Sequence, residues 1–153
     1  MKNWFYVDDL GNIKNYLTIE DFAPECVGFV YKITNLNNKK IYIGKKSLYS
    51  NVKKKLTKKE LSEQTGPGRK PTKKLVTSES NWKIYMGSSK ELLEDIKQLG
   101  SDSFNREILR LCFSKKQLTF HEINYQMKYK VLEVDSYNDN ILGKFYRKDL
   151  INF

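Results

Sequence analysis

The chain is poor in the residues that most often build recognisable sites. It has one histidine, His121, and two cysteines, Cys26 and Cys112, in 153 residues. A single histidine leaves nothing to build a multi-histidine zinc centre or a histidine-rich nuclease motif. Two cysteines are too few for a disulfide framework and read as free thiols in a reducing, cytoplasmic setting. No stretch approaches the ~20 apolar residues of a membrane span. The opening MKNWFYVDDLGNIK carries early acids and no apolar run, unlike a secretory signal. No internal repeat is visible.

What is present is aromatic and basic. Hydrophobic residues make up 39%, with ten tyrosines and eight phenylalanines, enough for a modest core and against wholesale disorder. The length fits one domain, residues 1–153. The formal charge is +10, and its distribution says more than its size. Residues 39–76 hold twelve lysines and Arg69 against only Glu60 and Glu63, so the rest of the chain is nearly neutral. A lysine-rich genome would raise lysine everywhere and does not explain clustering. Interleaved with Tyr42 and Tyr49, the block reads as a phosphate-backbone footprint through Lys45, Lys46, Lys53, Lys54, Lys55, Lys70, Lys73 and Lys74. No basic amphipathic helix accompanies it, which ranks a membrane surface well below nucleic acid.

Local patterns outline the elements. Residues 4–7 and 13–18 flank an Asp-Gly-Asn-type turn and predict a short hairpin within an N-terminal extension, residues 1–25. Phe29, Tyr31 and Ile33 alternate with Val30, Lys32 and Thr34, the period of a strand. Asn35 to Asn38 is turn chemistry and Lys40 to Gly44 the return strand, so residues 28–44 form a hairpin. Residues 45–81 read as a basic insertion loop, interrupted by a capping box at Thr57–Glu60. Ser89 opens a helix with Leu92, Leu93, Ile96 and Leu99 as its apolar face, closed by Gly100. Residues 104–113 read as a core strand. Ser114 opens a helix to about Lys130 with Leu118, Phe120, Ile123 and Met127 as core candidates. Asp95 reads as salt-bridged surface, and Trp82 and Tyr85 as core or as base-stacking rings. Residues 141–153 read as a basic tail. Hairpin, helix, strand and helix together give an α+β fold, a small, mainly antiparallel sheet flanked by helices.

The hairpin carries a signature. Phe29-Val30-Tyr31, then Asn35 and an Asn-Asn-Lys turn, then Tyr42-Ile43-Gly44 eleven positions after Tyr31, resembles the GIY-YIG nuclease superfamily. Glu122 on the last long helix, with Tyr125 at helical spacing, and Tyr137-Asn138 sixteen positions after Glu122 follow in the same order. The style is closest to phage-encoded homing-type (Seg-like) endonucleases. The resemblance covers residues 28–140 and implies a metal-dependent DNA endonuclease, working in the host cytoplasm if phage-encoded. RNA and the oligomeric state stay open.

The resemblance also implies roles. Glu122 would hold Mg²⁺ or Mn²⁺, and hard Mg²⁺ keeps most of its waters, so one carboxylate is adequate. Tyr31 would activate or hold water, its pKa lowered by nearby lysines. Tyr42 and Asn138 would complete the pocket, with Gly44 and Asn35 shaping the hairpin. Where the family has an arginine, about eight residues past the second glycine, this chain has Val52; Lys53 or Arg69 would substitute. His121 points about 100° away from Glu122 on its helix and reads as structural or phosphate-contacting. Two rival readings accompany the nuclease. One is a catalytically degenerate GIY-YIG scaffold acting as a nucleic-acid-binding module. The other is a regulator docking an acidic partner through the basic block.

Overall fold

The structure is a computed structural model and describes residues 1–150. Its centre is a five-stranded sheet in the order β2-β1-β7-β3-β4. The strands are β1 (Trp4–Val7), β2 (Ile13–Tyr16), β3 (Gly28–Asn35), β4 (Ile41–Ser47) and β7 (Phe104–Cys112). Only the β1·β7 pair is parallel; β1·β2, β3·β4 and β3·β7 are antiparallel. This is the mixed, mainly antiparallel α+β sheet that the patterns predict. The N-terminal extension is not an appendage. It adds two strands to the sheet and seats Trp4 in the core, 1% exposed.

Alternation along β3 sends its side chains to two separate apolar layers. Phe29, Tyr31 and Ile33 join Trp4, Phe22, Trp82, Leu92, Phe104 and Ile108 on one face. On the other, Val30 joins Ile43, Cys112, Leu118, Val131 and Ile141. β7 serves both faces by an irregularity opposite Val30/Tyr31. The extra residue there flips its alternation, so Ile108 and Leu111 share one layer while Leu109 and Cys112 share the other.

Helix α2 (Lys90–Leu99) covers the aromatic face, with Leu92 buried and Ile96 against the cluster. Leu93 and Leu99, expected inward, are exposed. Helix α3 (Lys115–Lys128) covers the opposite face through Leu118, Ile123 and Tyr125. Phe120 and Met127, expected in the core, are 64% and 53% exposed. At about 100° per residue, positions two and nine after Leu118 both fall on the far side of the helix.

The largest difference from expectation is at residues 45–81. They are not an open loop. β4 runs on to Ser47 and, through buried Leu48, into β5 (Tyr49–Lys55), which pairs antiparallel with β6 (Lys73–Glu79). Between them lie α1 (Lys58–Ser62), opened by the predicted Thr57–Glu60 capping box, and the Gly-Pro-Gly turn. The β5–β6 ribbon pairs with no other strand and stands off the body as an arm about 20 Å long.

The expected basic tail is also ordered where it is described. β8 (Asn140–Ile141) pairs with β9 (Phe145–Tyr146), and α4 (Arg147–Leu150) follows. Arg147 donates to the carbonyls of Val131, Val134, Ser136 and Asn138 and so ties down the segment that carries Asn138. The last three residues of the expected tail lie outside the described residues. No described helix is long and apolar enough to cross a membrane.

Candidate active site

β4 is the outer strand of the sheet beside β3, and a cleft opens along it. Tyr42, Lys45, Ser88, Lys90, Glu122 and Asn138 line the cleft, with Gln126 and Asp139 beside them. Tyr42 projects to the aromatic face and Lys45 to the α3 face, as β4 alternates. Glu122 comes from α3 on the other side of the sheet. The two meet because the cleft lies at the sheet edge, where neither has to cross the backbone.

Tyr42 is half-buried, and its hydroxyl shares a 2.8 Å hydrogen bond with Ser88 Oγ. Burial pushes its phenol above 10, and the Glu122 carboxylate adds to this. Glu122 is also half-buried. Burial raises its pKa above 4.5, while the Lys45 ammonium and backbone amide oppose the rise. Lys45 Nζ itself donates to Thr119 Oγ1, one turn ahead of Glu122 on the same helix.

Tyr31 lies behind this cleft, not in it. It is 1% exposed and packs on Trp4 at 5.1 Å and on Tyr42 and Tyr85 at 6.1 Å. Burial drives its pKa well above 10, and the phenols of Tyr42 and Tyr85 and the Glu122 carboxylate raise it further. The expected lowering by lysines does not occur, because dehydration of the phenolate outweighs cations that sit in water. What Tyr31 does is shape the hairpin. It pairs across the ladder with Gly44 and lays its ring over it. A Cβ at Gly44 would come within 2.5 Å of the Tyr31 hydroxyl and 3.0 Å of the Tyr42 ring. The glycine that ends the second triad is therefore the space that the two tyrosines need.

Asn138, expected among the catalytic groups, is 4% exposed and is bonded to backbone through both ends of its amide. Its Oδ1 accepts from Ile43 N at 3.0 Å and its Nδ2 donates to Ile43 O at 2.9 Å. Next to it, Tyr137 N donates to Ile41 O at 2.8 Å. Residues 137–138 thus clasp the open edge of β4 as a further strand would. Asn35 works the same way from the other end. Its Oδ1 closes the hairpin turn on Asn37 N, and its Nδ2 donates to the Tyr137 hydroxyl. That hydroxyl donates in turn to Asp95 at 2.6 Å, so Asp95 is not a plain surface charge.

The two candidates for the missing arginine are not at the cleft. Lys53 is on the arm, four positions beyond Tyr49, and Arg69 is in the loop past α1 at the arm's far end. Val52 lies on the same arm, in β5. The cations that do line the cleft are Lys45 and Lys90. Lys46 is turned the other way, over the Tyr85 ring at 4.1 Å, with its Nζ bonded to Asn81. Lys54, Lys55, Lys70, Lys73 and Lys74 all belong to the exposed arm and its tip. His121 stands off the cleft against Phe120, and burial together with Arg110 lowers its pKa. Trp82 is core, and its backbone carbonyl accepts from the Trp4 indole at 2.8 Å.

Two structural residues carry no motif. Arg106 is buried with its guanidinium on the carbonyls of Lys2, Lys83 and Tyr85. Burial lowers its pKa to about 10. Its phase with Phe104 and Ile108 on an apolar strand is the signal that could have revealed it. Gln126 lies one helical turn past Glu122. Its Nε2 donates to Ile43 O, while its buried Oε1 has no hydrogen-bond partner. Spacing of i, i+4 from Glu122 was the available sign.

No cluster of three or more histidine, cysteine, aspartate or glutamate side chains suited to a metal occurs among the described residues. The donor set at the cleft suits a different kind of site. It holds a carboxylate whose charge is disfavoured by burial and an orphaned amide oxygen, both hard oxygen donors on one helix face. A hydrated hard cation needs few protein ligands and would relieve both.

No curated protein and no solved structure matches the chain. Residues 13–150 do match the family described as "Putative endonuclease segE, GIY-YIG domain". That span takes in the hairpin, the arm, both long helices and the clasp; β1 and the turn after it fall in the unmatched residues 1–12. The chain belongs to this SegE-type family of the GIY-YIG nuclease superfamily.

Proposed function

We propose that this protein is a divalent-metal-dependent DNA endonuclease that hydrolyses phosphodiester bonds at the β4 cleft. The observation that carries the reading is the meeting, at one sheet edge, of Tyr42 and Glu122 from opposite faces, with Lys45 and Lys90 on the same walls. Glu122, with the Gln126 amide oxygen, would hold Mg²⁺ or Mn²⁺. That ion supplies neutralisation of transition-state charge and help for the leaving 3′ oxygen. Lys45 and Lys90 draw the phosphate into the cleft and would supply the positive charge that an arginine would otherwise bring, as point charges and not as a bidentate fork. Tyr42, fixed by Ser88, orients the attacking water or a phosphate oxygen; its raised pKa makes it a hydrogen-bonding group, not a strong base, at neutral pH. Tyr31 and Asn138 are positioning residues that hold β4, and with it Tyr42, in place. Membership of a SegE-type family favours a homing-type role.

A second reading has a specific observation behind it. Tyr31, the phenol expected to activate water, is sealed in the core, which fits a scaffold that binds nucleic acid without cutting it. Plasmid nicking with Mg²⁺ separates the two. The nuclease reading expects the wild type to nick at least about a hundredfold faster than Glu122→Ala, with both binding DNA alike. Equal rates for the two proteins would leave only the binding module.

A further inference from the structure

The arm is the part of the molecule least explained by its own packing. All seven residues of β5 are exposed, and in β6 only Val76 is partly covered. An isolated two-stranded ribbon is marginally stable in water. This one also sets Lys54 opposite Lys74 and Lys55 opposite Lys73. Like charges directly opposed weaken a ribbon. Among the described residues, Lys74 alone of these four has an acid partner, Glu60 at 2.8 Å. A polyanion alongside would turn that repulsion into attraction.

Shape selects the polyanion. A two-stranded β-ribbon fits the major groove of B-form DNA, about 12 Å wide. The A-form major groove of duplex RNA is too deep and narrow for side chains to read, and a single strand offers no groove. Alternation also gives the arm a reading face. Asn51, Lys53 and Lys55 share it with Thr77, Leu75 and Lys73, their cross-strand partners. Asn51 Oδ1 accepts from Thr77 Oγ1 at 2.7 Å, which orients the amide and leaves its N–H donors uncommitted. A short polar pair set between lysines is the mixture that base-edge contact and phosphate contact require.

We propose that the β5–β6 arm enters the major groove of duplex DNA, with Asn51 and Thr77 at the base edges and Lys53, Lys55 and Lys73 at the flanking phosphates. The inference rests on the nuclease reading and extends it from DNA in general to the major groove of B-form duplex. Because β4 runs through Leu48 straight into β5, Tyr42 and Asn51 are nine positions apart. They lie no further apart than about 32 Å. Groove contact and cut would therefore fall within about one helical turn of ~34 Å.

The test uses the full chain carrying Glu122→Gln, so that binding is read without cleavage. Fluorescence anisotropy is measured against a mixed-sequence 30-base-pair DNA duplex, the same duplex methylated at guanine N7, an RNA duplex of the same sequence, and a single DNA strand. The expected result is at least tenfold tighter binding to plain duplex DNA than to each of the other three. The minor-groove ligand distamycin should leave the affinity within twofold. Adding Lys53→Ala and Lys55→Ala should lower the slope of log affinity against log salt by about two. A further variant replaces residues 50–78 with Asn-Gly between the paired Tyr49 and Glu79 and is checked for folding by its melting curve; it should lose the sensitivity to N7 methylation. Equal affinity for DNA and RNA duplexes, or indifference to N7 methylation, overturns the proposal. Failure of the wild type to nick, with groove binding intact, would defeat the nuclease reading alone.

Discussion

β4 and β5 are one continuous run of chain joined at Leu48, and they differ in almost every physical respect. On β4 and just before it, three lysines have company. Lys40 meets Glu91, Asp135 and the Tyr137 ring; Lys45 meets Thr119; Lys46 meets Asn81 and the Tyr85 ring. The outer edge of β4 is clasped by residues 137–138, and its central glycine is wedged beneath two phenols. β5, equally lysine-rich, pairs only with β6 and is exposed along its whole length. The same composition thus serves two ends: over-determined placement where chemistry needs geometry, and free charge where a polymer is to be met. Clustered charge in a sequence marks the region, but the packing decides which lysines position and which bind.

Substitutions along this divide should rank by how tightly each site is held. The largest loss is expected for Trp4→Ala, about 3–5 kcal/mol, because the ring packs on Phe29 and Tyr31 at 4.9 and 5.1 Å. A melting temperature within a degree or two of wild type would show that the N-terminal strands are dispensable. Gly44→Ala forces a methyl into the Tyr31 phenol and should cost about 1–3 kcal/mol. Part of that should return in a Tyr31→Phe background, giving a coupling of opposite sign in a double-mutant cycle. Asn138→Ala uncaps Ile43 and should also cost about 1–3 kcal/mol, with nicking falling in step as β4 loosens. An Asn138→Ala protein with full stability and no activity would instead return Asn138 to the chemistry.

Smaller effects follow. Glu122 has a folded-state pKa above its ordinary 4.5 through burial, so the folded chain holds that proton more tightly than the unfolded one. The stability this contributes is present below pH 4.5 and is lost as the pH rises through the raised value. Glu122→Gln should therefore melt about 1–3 °C higher than wild type at pH 7, and the gap should close by about pH 4. A variant less stable than wild type at pH 7 would mean that Lys45 outweighs the burial. On the nuclease reading Glu122 holds the metal in its charged form, so the Mg²⁺ concentration that gives half-maximal nicking should rise as the pH falls. Val52→Ala, on the arm, should change stability by less than about 0.5 kcal/mol. A larger loss would show that the arm packs on something.

The hairpin was legible because strand alternation and turn chemistry coincide in residues 28–44, and helix caps at Ser89 and Ser114 bounded α2 and α3. Glu122 was found through its position relative to the hairpin motif, and it does face the cleft. The arm escaped notice for a physical reason. Both of its faces are solvated, so no apolar alternation exists to announce two strands. Charge gave the region but not the shape. The burial of Tyr31 and Asn138 was illegible because motif membership does not reveal it. Only packing shows that one phenol fills the core behind the other, and that an asparagine side chain bonds a strand edge. Phe120 and Met127 misled because hydrophobicity was counted without its angle about the helix.

The parallel pairing of β1 with β7, Trp4 opposite Arg106, joins chain segments about a hundred positions apart. During synthesis the first hairpin emerges early and cannot be buried until β7 has left the ribosome. Until then Trp4 and Tyr16 remain wet, and closing so long a span is the kind of step that slows folding and invites association. Two short strands thereby make this protein's folding wait on a segment about a hundred positions further along.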